Sequence, residues 1–272
     1  MSFLDHILTD VRREIADAKA ARPEVELLRR IQVAPPVRSL ADALSGDFGL
    51  IAEIKERSPS MGAMRAENIR DAAGVYEQSP LVRAISILTN ETHFGMNIGR
   101  LEKLRATLSK PVLRKDFMLE EYQVLEARAF GADAILLMAN VLDAPRMQAL
   151  YALTKDLGMD ALFEIHTPEE ILTLPSDAKI CGINSRKFKS TTGFLASGES
   201  AEKDFSLEMS VFDLADRLPK GTLRIAESGL SPESIAEVSR NFNAGLVGTS
   251  LLRDPRGVAG CLKDFETALA RA

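Results

Sequence analysis

The amino-acid sequence predicts a (β/α)8 barrel, a TIM barrel, with an N-terminal helical extension. Short apolar runs rich in Val, Ile and Leu recur eight times along the 272 residues. They lack clean polar–apolar alternation, as strands buried on both faces do. Stretches of helical periodicity separate them. That order gives a parallel α/β sheet, and eight units suit closure into a barrel. A doubly wound open sheet competes, but no G-x-G-x-x-G follows the first strand.

Each element follows in chain order. Residues 1–45 precede the first strand and read as helices; LLRRI (27–31) and LADAL (40–44) each offer an apolar stripe. A segment with that many Leu and Ile residues is expected to pack on the barrel rather than trail as a tail. The expected strands are GLIAEIK (49–55), VRAISILT (82–89), PVLRK (111–115), DAILLM (133–138), DALFEI (160–165), KICGIN (179–184), TLRIAE (222–227) and AGLVGT (244–249). Helical periodicity marks 119–132 and 147–158. In 231–245, Ser231 reads as the N-cap, Pro232 as the first helical residue and Gly245 as the stop. The connection from Lys187 to Asp204 is long, polar and rich in Gly and Ser, and a helix is expected from near Ser206. Its Ser190–Ser200 stretch is expected to be mobile without substrate, or ordered by another chain, because ordering it costs entropy with little burial in return. No linker divides the chain, so one barrel domain is expected over 1–272.

Composition narrows the function. Hydrophobic residues at 46% and charged residues at 27% exclude a disordered or collagen-like chain. No apolar run approaches the ~20 residues of a membrane span, and the charged opening stretch is not a signal core. A formal charge of -5, with no Trp and 3 Tyr, argues against a nucleic-acid surface. Two cysteines, Cys181 and Cys261, make no disulfide framework. A cytoplasmic setting is the default, and both thiols are expected in the core. His6, His93 and His166 show no metal-ligand spacing.

In such barrels the chemistry lies at the C-terminal strand ends. There the sequence places Glu53, Lys55 and Ser58, then Lys115, Glu164, Asn184 with Arg186, Glu227 with Ser228, and Gly248 with Thr249. Residues i and i+2 share a strand face, so Glu53 and Lys55 both point into the mouth. Lys115 is expected between Glu53 and Glu164, charged by its carboxylate neighbours. Arg114, pointing the other way, is expected in a salt bridge toward the helices. Gly229, Gly248 and Thr249 follow strands seven and eight, where barrels of this class commonly hold phosphate. The same glycines also suit plain tight turns. Phe94 and Phe117 suit either an aromatic clamp or loop anchors in the core.

These blocks resemble the indole-3-glycerol-phosphate synthase family over nearly the whole chain. LIAEIKERSPSMG (50–62) and PVLRKDFMLEEYQV (111–124) are its most specific motifs, and FEIHTPEE (163–170), GINSR (182–186), AESGL (226–230) and GLVGTSLLR (245–253) follow in family order. The resemblance implies a barrel lyase of tryptophan biosynthesis. It would convert the phosphorylated small molecule 1-(2-carboxyphenylamino)-1-deoxyribulose 5-phosphate to indole-3-glycerol phosphate by ring closure, decarboxylation and dehydration. It implies Lys115 as general acid on the ketone, and Glu164 with Lys55 as acid–base groups in dehydration. Glu53 and Glu227 would position the lysines and the substrate hydroxyls. Asn184, Arg186 and Ser228 would hold the substrate. Ser58, Gly229, Gly248 and Thr249 would bind phosphate, and Phe94 and Phe117 would line the anthranilate pocket. No metal or organic cofactor is implied, nor any nucleic-acid or membrane partner; a protein partner stays open. The chain departs from the family at Met61, where a lysine is usual, at FGMN (94–97), at Lys187 and Phe188, and in its longer sixth loop. Alternatives are another phosphate-binding barrel, an isomerase or a Schiff-base aldolase, or a paralogue whose sixth loop serves a partner.

Overall fold

In the computed structural model, residues 3–188 and 205–271 are described. They form a closed barrel of eight parallel strands. The strands are β1 (Gly49–Ile54), β2 (Val82–Leu88), β3 (Val112–Lys115), β4 (Ala134–Met138), β5 (Asp160–Ile165), β6 (Ile180–Asn184), β7 (Leu223–Glu227) and β8 (Ala244–Val247). β1 closes the ring by pairing with β8, Gly49 to Ala244 through Ala52 to Val247. Each strand lies within the run expected for it, and nearly every strand residue is buried, which is why the runs read as continuously apolar.

The N-terminal residues are helical and packed, as expected. α1 (Phe3–Ala21), α2 (Glu24–Val33) and α3 (Leu40–Leu44) bury Ile7, Val11, Ile15, Leu27, Leu40 and Leu44. Truncating Leu27, fully buried, to Ala would cost about 2–5 kcal/mol. Polar contacts fix the extension in place. Glu14 accepts from Asn90 at 2.8 Å and from the Thr92 amide at 3.0 Å, while Tyr122 donates to the Ala18 carbonyl at 2.9 Å. This brings Ile7 to the wall of the barrel mouth.

The remaining α-helices are α4 (Ala66–Gln78), α5 (Glu91–Phe94), α6 (Ile98–Arg105), α7 (Glu121–Ala129), α8 (Ala144–Asp156), α9 (Pro232–Val238), α10 (Thr249–Arg253) and α11 (Val258–Leu269). Three expectations need correction. The helix expected from near Ser206 is a short strand, Phe205–Leu207, followed by a 3-10 helix, Met209–Arg217. That strand pairs antiparallel with Arg186–Phe188, so pairing across the loop ends overrides local propensity. The α9 helix starts at Pro232 behind a Ser231 cap but stops at Val238; Gly245 lies inside β8 instead of ending the helix. α8 begins three residues earlier than its apolar period suggests, because Asp143 caps it by accepting from the Arg146 amide. The Ser190–Ser200 stretch lies outside the described residues. Among those residues, no helix is long and apolar enough to cross a membrane.

Candidate active site

The C-terminal strand ends open into a cavity of about 310 Å³. All fourteen residues singled out from sequence line it: Glu53, Lys55, Ser58, Phe94, Lys115, Phe117, Glu164, Asn184, Arg186, Glu227, Ser228, Gly229, Gly248 and Thr249. Strand ends bring them together: Lys115 closes β3, Glu164 lies one residue before the end of β5, and Asn184 and Glu227 close β6 and β7.

Two lysines in three ion pairs organise the polar wall. Lys115 Nζ donates to Glu164 Oε2 and to Glu227 Oε2, each at 2.9 Å. Lys55 Nζ donates to Glu53 Oε1 at 2.5 Å. Lys115 therefore sits between Glu164 and Glu227, not between Glu53 and Glu164 as the sequence suggests. The i, i+2 geometry of β1 explains the correction, because Glu53 takes its own near neighbour Lys55. Burial opposes the charge on Lys115, but Glu164, Glu227 and Glu53 outweigh it and raise its pKa, keeping the ammonium. Burial also works against Glu164, yet Lys115, His166 and a hydrogen bond from Asn184 hold its carboxyl below the usual range. Glu227 goes the other way: burial and the Glu164 charge raise it against the pull of Lys115. One proton on the two carboxyls leaves the triad neutral, which buried charges favour.

Room for these side chains comes from glycine. A Cβ at Gly182 would lie 1.9 Å from Glu227 Oε1, and one at Gly248 would lie 2.5 Å from Glu53 Oε1. Gly248 thus serves the carboxylate of β1 whatever else it binds. Ser228 takes a left-handed φ of 69°, the sole positive φ among described non-glycine residues, followed by Gly229 at 68°. That backbone is costly for a residue with a Cβ and turns the chain sharply at the rim. Arg186 Nη1 donates to Ser60 Oγ at 2.6 Å and ties the sixth strand end to the first loop. Met61, exposed, lies in that loop. Phe94 and Phe117 line the cavity together with Ile7, Leu88, Leu136 and Met138, which make an apolar wall.

Arg114 points the other way, as expected. It pairs with Asp116 at 3.1 Å and with Glu126 of α7 at 2.9 Å. Cys181 and Cys261 are buried free thiols, and burial pushes both up in pKa, which disfavours the thiolate. Among the described residues, no group of His, Cys, Asp and Glu is placed to hold a metal ion.

Sequence reasoning missed the apolar wall and His166. The wall residues belong to α1, β2 and β4, where apolar residues look like core. The scatter of the three histidines gives His166 no metal-ligand spacing, yet it stands two residues after Glu164, the same spacing that links Glu53 to Lys55. Its Nε2 lies 3.5 Å from Glu164 Oε1.

A family profile described as "Indole-3-glycerol phosphate synthase" matches residues 4–259. A protein of that name from Kineococcus radiotolerans is 38% identical over 270 residues, covering 94% of this chain and 93% of its own. The Magnetococcus marinus protein of that name is 37% identical, covering 93% and 94%. Among solved structures, the tryptophan synthase alpha subunit of Legionella pneumophila superimposes with a TM-score of 0.58 at 12% identity, covering 87% of this chain and 100% of that one. At that identity the likeness shows the barrel fold alone.

Proposed function

The chain belongs to the indole-3-glycerol phosphate synthase family of tryptophan biosynthesis, and we propose that its barrel mouth acts as a carboxy-lyase on 1-(2-carboxyphenylamino)-1-deoxyribulose 5-phosphate. The observation that carries this reading is Lys115, held charged between Glu164 and Glu227 on the wall of one deep cavity.

The chemistry fits that arrangement. As the aromatic carbon attacks the ketone, negative charge grows on the ketone oxygen. The Lys115 ammonium hydrogen-bonds to that oxygen and protonates it. The ring carboxylate then leaves as carbon dioxide and restores aromaticity. Dehydration needs an acid to carry off the hydroxyl and a base to take a proton from the adjacent carbon. Lys55 and Glu164 face the same cavity and divide these roles. Glu53, paired with Lys55, and Glu227, paired with Lys115, set the two lysines and meet the substrate hydroxyls. Asn184, Arg186 and Ser228 orient the chain of the substrate.

The phosphate goes to the rim formed by Ser58, Gly229, Gly248 and Thr249. These residues line the cavity beside the starts of α9 and α10, where backbone amides are free to bind an anion, and no side chain caps α10. Phe94 and Phe117 take the anthranilate ring against the apolar wall. The side chains on the wall supply acid, base and cation, so this scheme uses no metal or organic cofactor. A cytoplasmic location suits a biosynthetic enzyme of this kind.

A fluorescence assay for indoleglycerol phosphate with the purified chain tests the reading. Turnover with no adduct trapped by borohydride supports it. A borohydride-trapped lysine adduct would point to a Schiff-base aldolase instead.

A further inference from the structure

The overall reaction consumes a proton. Ring closure puts one on the ketone oxygen, and loss of water uses a second. Formation of the new double bond returns one. Carbon dioxide leaves without a proton, and its bonding electrons stay in the ring. Each turnover therefore draws one net proton from solution while substrate fills the mouth.

We infer that His166, with Glu170, is the route by which that proton returns to Glu164 from solvent outside the mouth. This rests on the reaction assigned above. His166 follows β5 and is 7% exposed. Its Nε2 lies 3.5 Å from Glu164 Oε1, and its Nδ1 lies 3.6 Å from Glu170 Oε2. Neither ring nitrogen has a hydrogen-bond partner, an unusual state for a buried imidazole. Both gaps are slightly long for hydrogen bonds, and such contacts commonly tighten when substrate binds. Glu170 is held in place by the His166 backbone amide, which donates to Glu170 Oε2 at 2.6 Å.

His166 also borders solvent. A second cleft of about 300 Å³ opens there, lined by His166, Thr167, Glu169, Glu208 and Ser210. His166 lines this cleft and not the mouth, while Glu164 lines the mouth and not the cleft. The imidazole is thus the partition between the two. The charges acting on it are Glu170, Glu164 and Glu227; Glu164 and Glu227 line the mouth with Lys115, and Glu169 and Glu208 line the cleft. Burial opposes its protonation, but Glu170, Glu164 and Glu227 raise its pKa above the usual imidazole value and favour proton uptake. A proton taken at Nδ1 from Glu170 or water leaves from Nε2 to Glu164. The proton arrives on Oε1, and a turn of the Glu164 carboxyl brings it to the Oε2 position, 2.9 Å from Lys115 Nζ, where the deprotonated amine takes it.

His166→Gln and Glu170→Gln test the route in the full-length chain, and the parent's own turnover tests the reaction separately. In each variant kcat should fall about tenfold at alkaline pH and less at acid pH, with KM changed less than about twofold. Added imidazole, small enough for the cleft, should restore His166→Gln in proportion to its concentration. A loss that is uniform across pH and indifferent to imidazole would mean that His166 only packs beside Glu164. An unchanged kcat would overturn the proposal outright. Should His166→Gln not fold, the pH profile of Glu170→Gln decides between these outcomes alone.

Discussion

The floor and the mouth of the barrel each bury a carboxylate against a cation, and they treat it differently. At the floor, Asp133 precedes β4. Both of its oxygens accept from Arg105 at 3.0 Å, and they also accept from the Arg38 and Val112 amides at 2.8 Å. Each oxygen carries two hydrogen bonds. At the mouth, Glu227 gives one oxygen to Lys115 and keeps the other, also buried, without a partner. The floor also gives its left-handed turn beside Asp133 to a glycine, Gly131 at a φ of 87°, while the mouth holds Ser228, a residue with a Cβ, in the left-handed region. A buried charge that serves stability is saturated, because an unmet acceptor costs about 1–3 kcal/mol. A buried charge that serves chemistry keeps an open position for the substrate, and its neighbours supply the missing stability.

Breaking the saturated site should have the largest effect on folding. Asp133→Ala leaves Arg105 buried without its partner and should cost about 3–5 kcal/mol by denaturant unfolding, with specific activity of the folded fraction retained. Loss of activity without loss of stability would erase the distinction between floor and mouth.

Gly182→Ala acts on the open site through packing. Its Cβ would strike Glu227, so the carboxylate must swing off Lys115. Stability should fall by about 1–3 kcal/mol, and turnover by as much as about 100-fold, the penalty for misplacing a catalytic group by an ångström.

Glu227→Gln probes the same oxygen by pH. The folded pKa of Glu227 is raised, so its stabilising contribution is complete below the unfolded value of ~4.3 and is lost as pH rises through the folded value. The amide does not titrate. The variant should therefore gain stability relative to the parent as pH rises from acid to neutral, and a parallel pair of stability–pH curves would contradict the assignment. The smallest effect is expected for Ser228→Gly. Relief of the left-handed backbone should leave stability equal to the parent or up to about 1 kcal/mol higher by thermal unfolding, while KM rises through loss of the hydroxyl.

The barrel itself was legible because doubly buried strands write their period into sequence, and β1 through β8 fall inside the eight apolar runs. The rim was legible for a related reason: a Lys or Glu at the end of an apolar run has few explanations other than the mouth. Pairing across space was not. Nothing local to Lys115 says that Glu227 of β7 reaches it instead of Glu53, since that depends on barrel tilt and on the gap left by Gly182. The strand at Phe205–Leu207 was hidden likewise, because its partner at Arg186–Phe188 lies across the loop. His166 was readable by the i, i+2 rule from Glu164, though the spacing of the three histidines does not mark it.

The central claim is that Lys115 is the acid of ring closure, and Lys115→Met tests it most directly. The substitution removes the proton and charge and keeps a similar stem. Turnover should fall by ~100-fold or more, the range of a lost general acid, while substrate affinity changes far less because the phosphate and ring contacts remain. Turnover within about threefold of the parent, under ~1 kcal/mol of transition-state stabilisation, would contradict the claim and pass the role to Lys55.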